Sequence, residues 1–433
     1  MKKLKHIYKP SAALLFLTAM LVFLVFCSCT PASEGGSQTS GVDVVSDTES
    51  APVPSDYEVV KDRMSEFQII RTDAGYEYEA KAAREFRDSL EAKTGCRLVM
   101  NVDWYIKAEP AAQYEILVGH TEREESQAVN AEVDSEDGFF YVIRGVGDKI
   151  VVTGKSPSMI SKGLNHLLEN YVDESGNLII PRGINIRSEN FDPMPGDYIA
   201  AGGEVKIAET QMGVIIPYHG CRIIQGGGTD GQYLYVILND GAKSGARSVL
   251  NKISLETMRI VDRKVDLEVD HGNDLCVNPK TGELIIVHNA PNRTHISVFD
   301  AETLEFKRKV YLNCDIFAMS YDEDLDCYWV GLSGGDNFAK LDSDFKIVRR
   351  FSGAGKGYTT QGMDCDSQYL YFVMYNKCCI VVYDKKGSYI GEYELPVNNC
   401  EPENISHVGD EFYIVYNNSS WTGGVIYKAV LSN

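Results

Sequence analysis

The chain has 433 residues and carries 42 Lys and Arg against 62 Asp and Glu, a formal net charge of -20. That balance, with no clustered basic run, excludes nucleic acid or an anionic lipid surface as the main partner, because phosphate binding needs local Lys and Arg. From about residue 57 onward the chain is too long for one ordinary core and predicts two domains.

Lys2, Lys3, Lys5 and Lys9 precede an apolar run from Ala12 to Phe26 that only Thr18 interrupts. This reads as the n-region and h-region of a secretory signal, too short and too abruptly ended for a comfortable membrane span. The run closes on Phe26-Cys27-Ser28-Cys29, with a small Ser before Cys29. The segment resembles a bacterial lipobox. The resemblance implies a signal peptide over 1–28, acylation of Cys29 and a lipid anchor on the extracellular face of the cytoplasmic membrane. Phe26 and Cys27 depart from the usual pattern, so Cys27 stays open as the acylated residue, and an uncleaved N-terminal anchor is the other reading. Residues 29–56 are rich in Ser, Thr, Gly, Pro and acids and predict a flexible tether. Setting aside Cys27 and Cys29, the 11 cysteines leave an odd, irregularly spaced set without a legible disulfide framework or metal motif. Cys378-Cys379, in a strand-like run, read as small apolar residues on opposite faces.

Residues 57–188 predict a small α+β domain. Ala80, Ala83, Phe86 and Leu90 share a face at helical spacing before Gly95. Strand runs follow at 97–102 and 114–118, then a hairpin of 138–143 and 149–153 around Gly145-Val-Gly-Asp148. A second helix starts at Pro157, with Ile160, Leu164, Leu167, Leu168 and Tyr171 as its stripe. Both helices are expected on one face of a single sheet. The runs Glu115-Ile-Leu-Val-Gly-His-Thr-Glu-Arg123, Gly138 to Ile143, Ile150 to Gly154 and Leu167 to Tyr171 resemble the accessory α/β domain of family-20 β-hexosaminidases and family-67 α-glucuronidases. The resemblance implies a non-catalytic support and transfers no catalytic residue, since the barrel of those enzymes is replaced by a different domain. His120 and Glu122 read as solvated turn residues in preference to a site.

Residues 189–433 carry a repeat. Tyr233-Leu-Tyr-Val236, Leu284-Ile-Ile-Val287, Tyr328-Trp-Val-Gly331, Tyr369-Leu-Tyr-Phe372 and Phe412-Tyr-Ile-Val415 recur about every 45 residues, the period of a four-stranded propeller blade. Each unit shows one strand before this core and two after it, the last two joined by polar turns such as Asp300-Ala-Glu-Thr303 and Asp384-Lys-Lys-Gly387. The fold class is therefore multidomain α+β, a small α/β sandwich followed by a five-bladed β-propeller. The last unit lacks one strand, which residues 203–210 can supply to close the ring. A sixth blade remains open if Met212 to Gly220 forms a degenerate unit. The repeats resemble bacterial surface propellers of the NHL and lactonase-like kind.

Residues at the starts of innermost strands converge on one channel mouth. Counting back from the strand cores aligns Gln225, Asn273, Phe317, Gln361 and Glu403, with His271, Asp274 and Glu401 alongside. Amides and carboxylates beside one aromatic suit hydroxyl-rich ligands; the alternative is that they bind neighbouring backbone. Asp322-Glu-Asp-Leu-Asp326 lacks the Gly and terminal Glu of a Ca²⁺ loop and reads as a hairpin turn. The expectation is a non-catalytic surface protein that binds a glycan or cell-wall polymer, without metal or cofactor. The alternatives are a polysaccharide hydrolase or lyase using His271, Asp274, Glu401 and Glu403, and a protein-interaction scaffold.

Overall fold

The computed structural model describes residues 55–72, 77–103, 112–201, 206–241, 247–333, 335–396, 400–418, 420 and 422–432. The signal segment, Cys27, Cys29 and nearly all of the expected tether lie outside the described residues. Residues 54–433 form one compact unit.

The first part begins with β1 (Tyr57–Val60), β2 (Gln68–Arg71), α1 (Glu77–Thr94), β3 (Val99–Val102), β4 (Glu115–Val118) and α2 (Glu124–Ser135). It continues with β5 (Tyr141–Val146), β6 (Lys149–Gly154), α3 (Pro157–Asn170), β7 (Leu178–Ile180) and β8 (Asn185–Arg187). Six strands pair in the order β3-β2-β4-β6-β5-β8, while β1 pairs with β7. The contacts among β3, β2, β4 and β6 are parallel. Alternation along these strands sends Ile69, Ile116, Val118, Ile150 and Val152 into a core with Phe86, Leu90, Leu164 and Leu167 of α1 and α3. Ile70, Leu117, Val142 and Val151 go to the opposite face, where Val129 and Val133 of α2 cover them.

Helices thus lie on both faces, not on one. α2 was hidden in the sequence because much of its inward stripe is polar. Ser126 and Asn130 are buried, and both donate to the Gly119 carbonyl, at 2.8 and 3.1 Å. His120 is likewise tied down: its backbone N–H and its Nδ1 meet the fully buried Glu79 carboxylate at 2.9 and 2.6 Å.

Next come α4 (Pro195–Ala200) and β9 (Lys206–Ile215). Among the described residues, the remainder forms five four-stranded antiparallel sheets, four of them continuous at residues 223–267, 274–311, 316–351 and 360–394. The fifth combines three strands between 401 and 432 with β9, which pairs antiparallel with Gly424–Ser432. Met212 to Ile215 belongs to this closing strand, so there are five blades and no sixth. Apolar side chains of adjacent blades interdigitate all round the ring, including the seam between blades 5 and 1, where Tyr413 and Val415 meet Ile224, Leu234 and Val236. Cys379 packs between blades 3 and 4, and Cys378 faces the blade 4–5 core.

A polar knot joins the two parts. Asp197 of α4 is fully buried; its Oδ1 accepts from the hydroxyls of Ser158 and Tyr369, each at 2.7 Å, and its Oδ2 accepts from the Met194 N–H at 2.8 Å. The Gly196 N–H donates to the Tyr371 hydroxyl at 2.9 Å, which in turn donates to Asp366. Removing the acceptor strands buried donors, at about 1–3 kcal/mol for the group left unpaired. Asp197→Ala is expected to lower Tm by about 5–10 °C in a thermal melt, and Ser158→Ala by clearly less. An Asp197→Ala protein melting with the wild type would show that the knot contributes nothing.

Candidate functional site

The five innermost strands are Ile223–Thr229, Asp274–Asn278, Ile316–Asp322, Thr360–Cys365 and Glu401–Val408. They crowd at the axis, which explains the repeated Gln-Gly pairs. A Cβ on Gly226 would lie 2.3 Å from Asp274 Cα, and one on Gly362 would lie 2.9 Å from Asn404 Cα and the Glu403 carbonyl. Glycine permits the approach, and the Gln before it stands at the neck.

The neck is a ring of amides and carboxyls. Asn273 Nδ2 donates to the carbonyls of Phe317 and Gln361, at 2.8 and 2.9 Å, so one side chain ties blades 2, 3 and 4. Gln361 Nε2 donates to Glu401 Oε1 at 3.1 Å and Glu403 Oε2 at 3.0 Å. Asn417 donates to Glu403 and, at 2.9 Å, to the Ile224 carbonyl, which also accepts from Gln225 Nε2 at 2.7 Å. Asn273, Phe317, Gln361, Glu401 and Glu403 therefore meet directly, and Gln225 joins through Asn417. Phe317 contributes its carbonyl, while the Arg293 guanidinium lies 5.7 Å from its ring centre.

Two of the anticipated residues sit differently. His271 is held through its backbone, its carbonyl accepting from Asn239 Nδ2 at 2.6 Å. Asp274 is not at the mouth: it is fully buried, with Oδ2 accepting from the N–H groups of Met319 and Met363 at 3.0 and 3.2 Å. Asn273 precedes the strand that Asp274 opens, and both side chains cross the axis to blades 3 and 4, but Asp274 does so two residues deeper, at Met319 and Met363 instead of Phe317 and Gln361. Asn289, Asn417 and Asn239 were missed. Asn289 is buried with φ +57 and donates to Asn273 Oδ1 at 2.7 Å. The signal was an Asn closing the second strand of blades 1 and 5, at Asn239 and Asn417.

Every amide of this ring spends N–H groups on the ring itself. What remains unpaired in the ring are acceptors: the buried oxygens Gln225 Oε1, Asn289 Oδ1 and Glu401 Oε2 have no hydrogen-bond partner within the protein, and neither has His271 Nδ1 beside them. Burial pushes Glu403 well above the ordinary carboxyl range, and the neighbouring Glu401 charge adds to it; burial raises Glu401 too. The pair therefore retains a proton where an exposed Glu would have lost it. Burial lowers His271 to about 4, which keeps its ring neutral.

At the opposite end the inner strands finish around a cavity of about 300 Å³, lined among others by Asp230, Tyr321, Asp364, Asp366 and His407. Thr229, Val277, Tyr321 and Asp364 also line a smaller inner chamber of about 50 Å³. Four of the larger cavity's carboxylates, Asp230, Asp322, Asp364 and Asp366, are already engaged. Asp230 and Asp366 cap hairpin turns and accept from the hydroxyls of Tyr235 and Tyr371, and Asp364 accepts from Ser320 Oγ at 2.9 Å and pairs with His407 at 3.0 Å. Asp322 binds Trp329 Nε1 at 3.0 Å and Lys385 at 2.7 Å, a structural role. Among the described residues no group of three or more His, Cys, Asp or Glu is placed to hold a metal ion.

The strand pairings make this chain a β-propeller protein. No protein-family model matches it, and no curated protein is similar to it. Among solved structures it is similar to the glutaminyl cyclase of Myxococcus xanthus, at 11% identity and TM-score 0.38 over 53% of this chain and 99% of that one. It is also similar to a streptogramin B lyase, at 17% identity and TM-score 0.32 over 52% of this chain and 72% of that one.

The buried carboxyl pair has a consequence for pH. Unfolded Glu releases its proton near pH 4.3, at about the ordinary value, whereas folded Glu403 holds one to higher pH. The folded state then binds more protons, so this pair's contribution to stability falls as pH rises above that point. Glu403→Gln removes the contribution. In melts between pH 5 and 8 the variant is expected to show a flatter Tm profile and to exceed the wild type at pH 8. Parallel profiles would contradict the assignment.

Proposed function

We propose that the protein is a surface-anchored lipoprotein that binds an extracellular glycan or cell-wall polymer at the propeller neck without transforming it. In this reading the lipid on Cys29 and the following tether hold it at the membrane. The α/β layer, docked on the propeller through Asp197, acts as a non-catalytic support of the kind its sequence resembles.

The observation that carries the proposal is the set of buried oxygens without donors, Gln225 Oε1, Asn289 Oδ1 and Glu401 Oε2. Each unpaired buried acceptor costs about 1–3 kcal/mol, a cost that ligand hydroxyls would relieve. Phe317, half-buried beside them, adds apolar surface for a sugar ring. Fold alone assigns no activity. A hydrolase reading draws on the raised Glu401 and Glu403, since displaced carboxyls gather at catalytic sites. Both bind one amide nitrogen, however, which keeps the bonded oxygens within about 6 Å, too close for an inverting pair with a water between them, and both oxygens of the buried Glu403 are already bonded, to Gln361 and Asn417, which speaks against a free nucleophile.

A glycan array probed with the mature protein is expected to give a defined set of bound glycans. Gln225→Ala, Gln361→Ala and Glu403→Ala, each verified as folded by its melt, should weaken that binding at least about tenfold, the equivalent of one good hydrogen bond. Binding by none of the glycans, or undiminished binding by all three variants, would refute the reading. Release of new reducing ends from a bound polysaccharide would favour the hydrolase instead. For the anchor, radiolabelled palmitate should enter the wild type and not Cys29→Ala; label retained in that variant moves the site to Cys27.

A further inference from the structure

The atoms left over at the neck are of one kind. Asn273, Asn289, Gln225, Gln361 and Asn417 each already donate through their amide N–H groups to other members of the ring or its backbone. Gln225 Oε1, Asn289 Oδ1 and Glu401 Oε2 remain, three oxygens able only to accept unless Glu401 carries the shared proton. Gln225 is 3% and Asn289 7% exposed, so solvent reaches them poorly. A hydroxyl donates one hydrogen and brings lone pairs that find little to accept from here. An ammonium donates three and brings none.

Charge points the same way. Among the described residues neither the half-buried Glu401 nor the buried Glu403 forms an ion pair with Lys, Arg or His, whereas Glu115, as buried as Glu403, is paired with both Arg123 and Lys149. Arg293, the cation beside Phe317, is turned to Ser333 Oγ at 3.2 Å. His271, half-buried and unprotonated, supplies no positive charge. With one proton shared, the glutamate pair keeps one negative charge inside a ring of amides that cannot neutralise it, and buried charge without a partner is costly.

Building on the glycan reading above, we propose that the neck selects a primary ammonium group, so that its ligand is an amine-bearing glycan, a free hexosamine in place of the N-acetylated sugar. The ammonium would sit against Glu401, whose Oε2 has no hydrogen-bond partner within the protein. N-acetylation would remove the charge, leave one N–H and add an acetyl group within the ring.

Titration calorimetry with the β-1,4-glucosamine tetramer, its fully N-acetylated counterpart and Ca²⁺ alone tests this. The wild type is expected to bind the free-amine tetramer at least tenfold more tightly than the acetylated one, and Glu401→Gln, which keeps shape and removes charge, to bring that ratio close to one. A preference that survives Glu401→Gln would reflect only the overall charge of -20 and would overturn the inference. Equal affinity of the wild type for both tetramers would overturn it while leaving glycan binding intact. Failure to bind either would overturn both. Tight Ca²⁺ binding that blocks the free-amine tetramer and is lost in Glu401→Gln would replace the ammonium with a metal ion.

Discussion

The pairing of β9 with the C-terminal strand is the constraint on which the rest of this structure depends. The two strands stand more than 200 residues apart in the chain, and their register runs unbroken except for one irregularity near Ile426 and Tyr427. Without it, blade 5 would keep only three strands, and the seam between blades 5 and 1 would lose Met212 and Ile215 of β9. With it, Asn417 of blade 5 reaches the Ile224 carbonyl of blade 1, and the hydrogen-bonded neck becomes continuous. Closing so long a loop costs conformational entropy. The interdigitated cores on both sides of the seam offset that cost.

Closure has a second effect, at the axis. Five strands can converge there only if some positions carry no side chain, and Gly226, Gly228 and Gly362 take that part. The polar residues next to them then stand close enough to bond one another across blades. The neck uses its amide N–H groups on itself and leaves oxygens over, so the same crowding that locks the ring gives the opening its chemical character. The other end of the channel differs. There Asp230 and Asp366 cap hairpin turns and bind tyrosines, so these carboxylates of the acid-lined cavity are already in use.

The repeat was legible because each blade places a run of aliphatic or aromatic residues on its second strand, as in Leu284-Ile-Ile-Val287 and Tyr369-Leu-Tyr-Phe372, at a near-constant spacing. The closing strand was anticipated from the missing strand of the last unit, though it begins and ends later than expected, at Lys206 and Ile215. Alignment on strand starts brought out Asn273, Gln361 and Glu403, which do meet. It misjudged Asp274 because counting residues does not say how deep along the axis a side chain sits. Asn289 and Asn417 escaped because they approach the neck from the far end of second strands, a direction that a search along first strands does not sample. α2 escaped for a related reason: Ser126 and Asn130 are buried by hydrogen bonds to Gly119, and polar burial leaves no hydrophobic stripe to read.

Amide hydrogen exchange on the intact protein tests the closure most directly. Residues 206–215 should exchange as slowly as Gly424–Ser432, their partner strand, and the two should lose protection together as denaturant rises. Rapid exchange across 206–215 while 424–432 stays protected would mean that the ring is open, and that the neck described here is not assembled in solution.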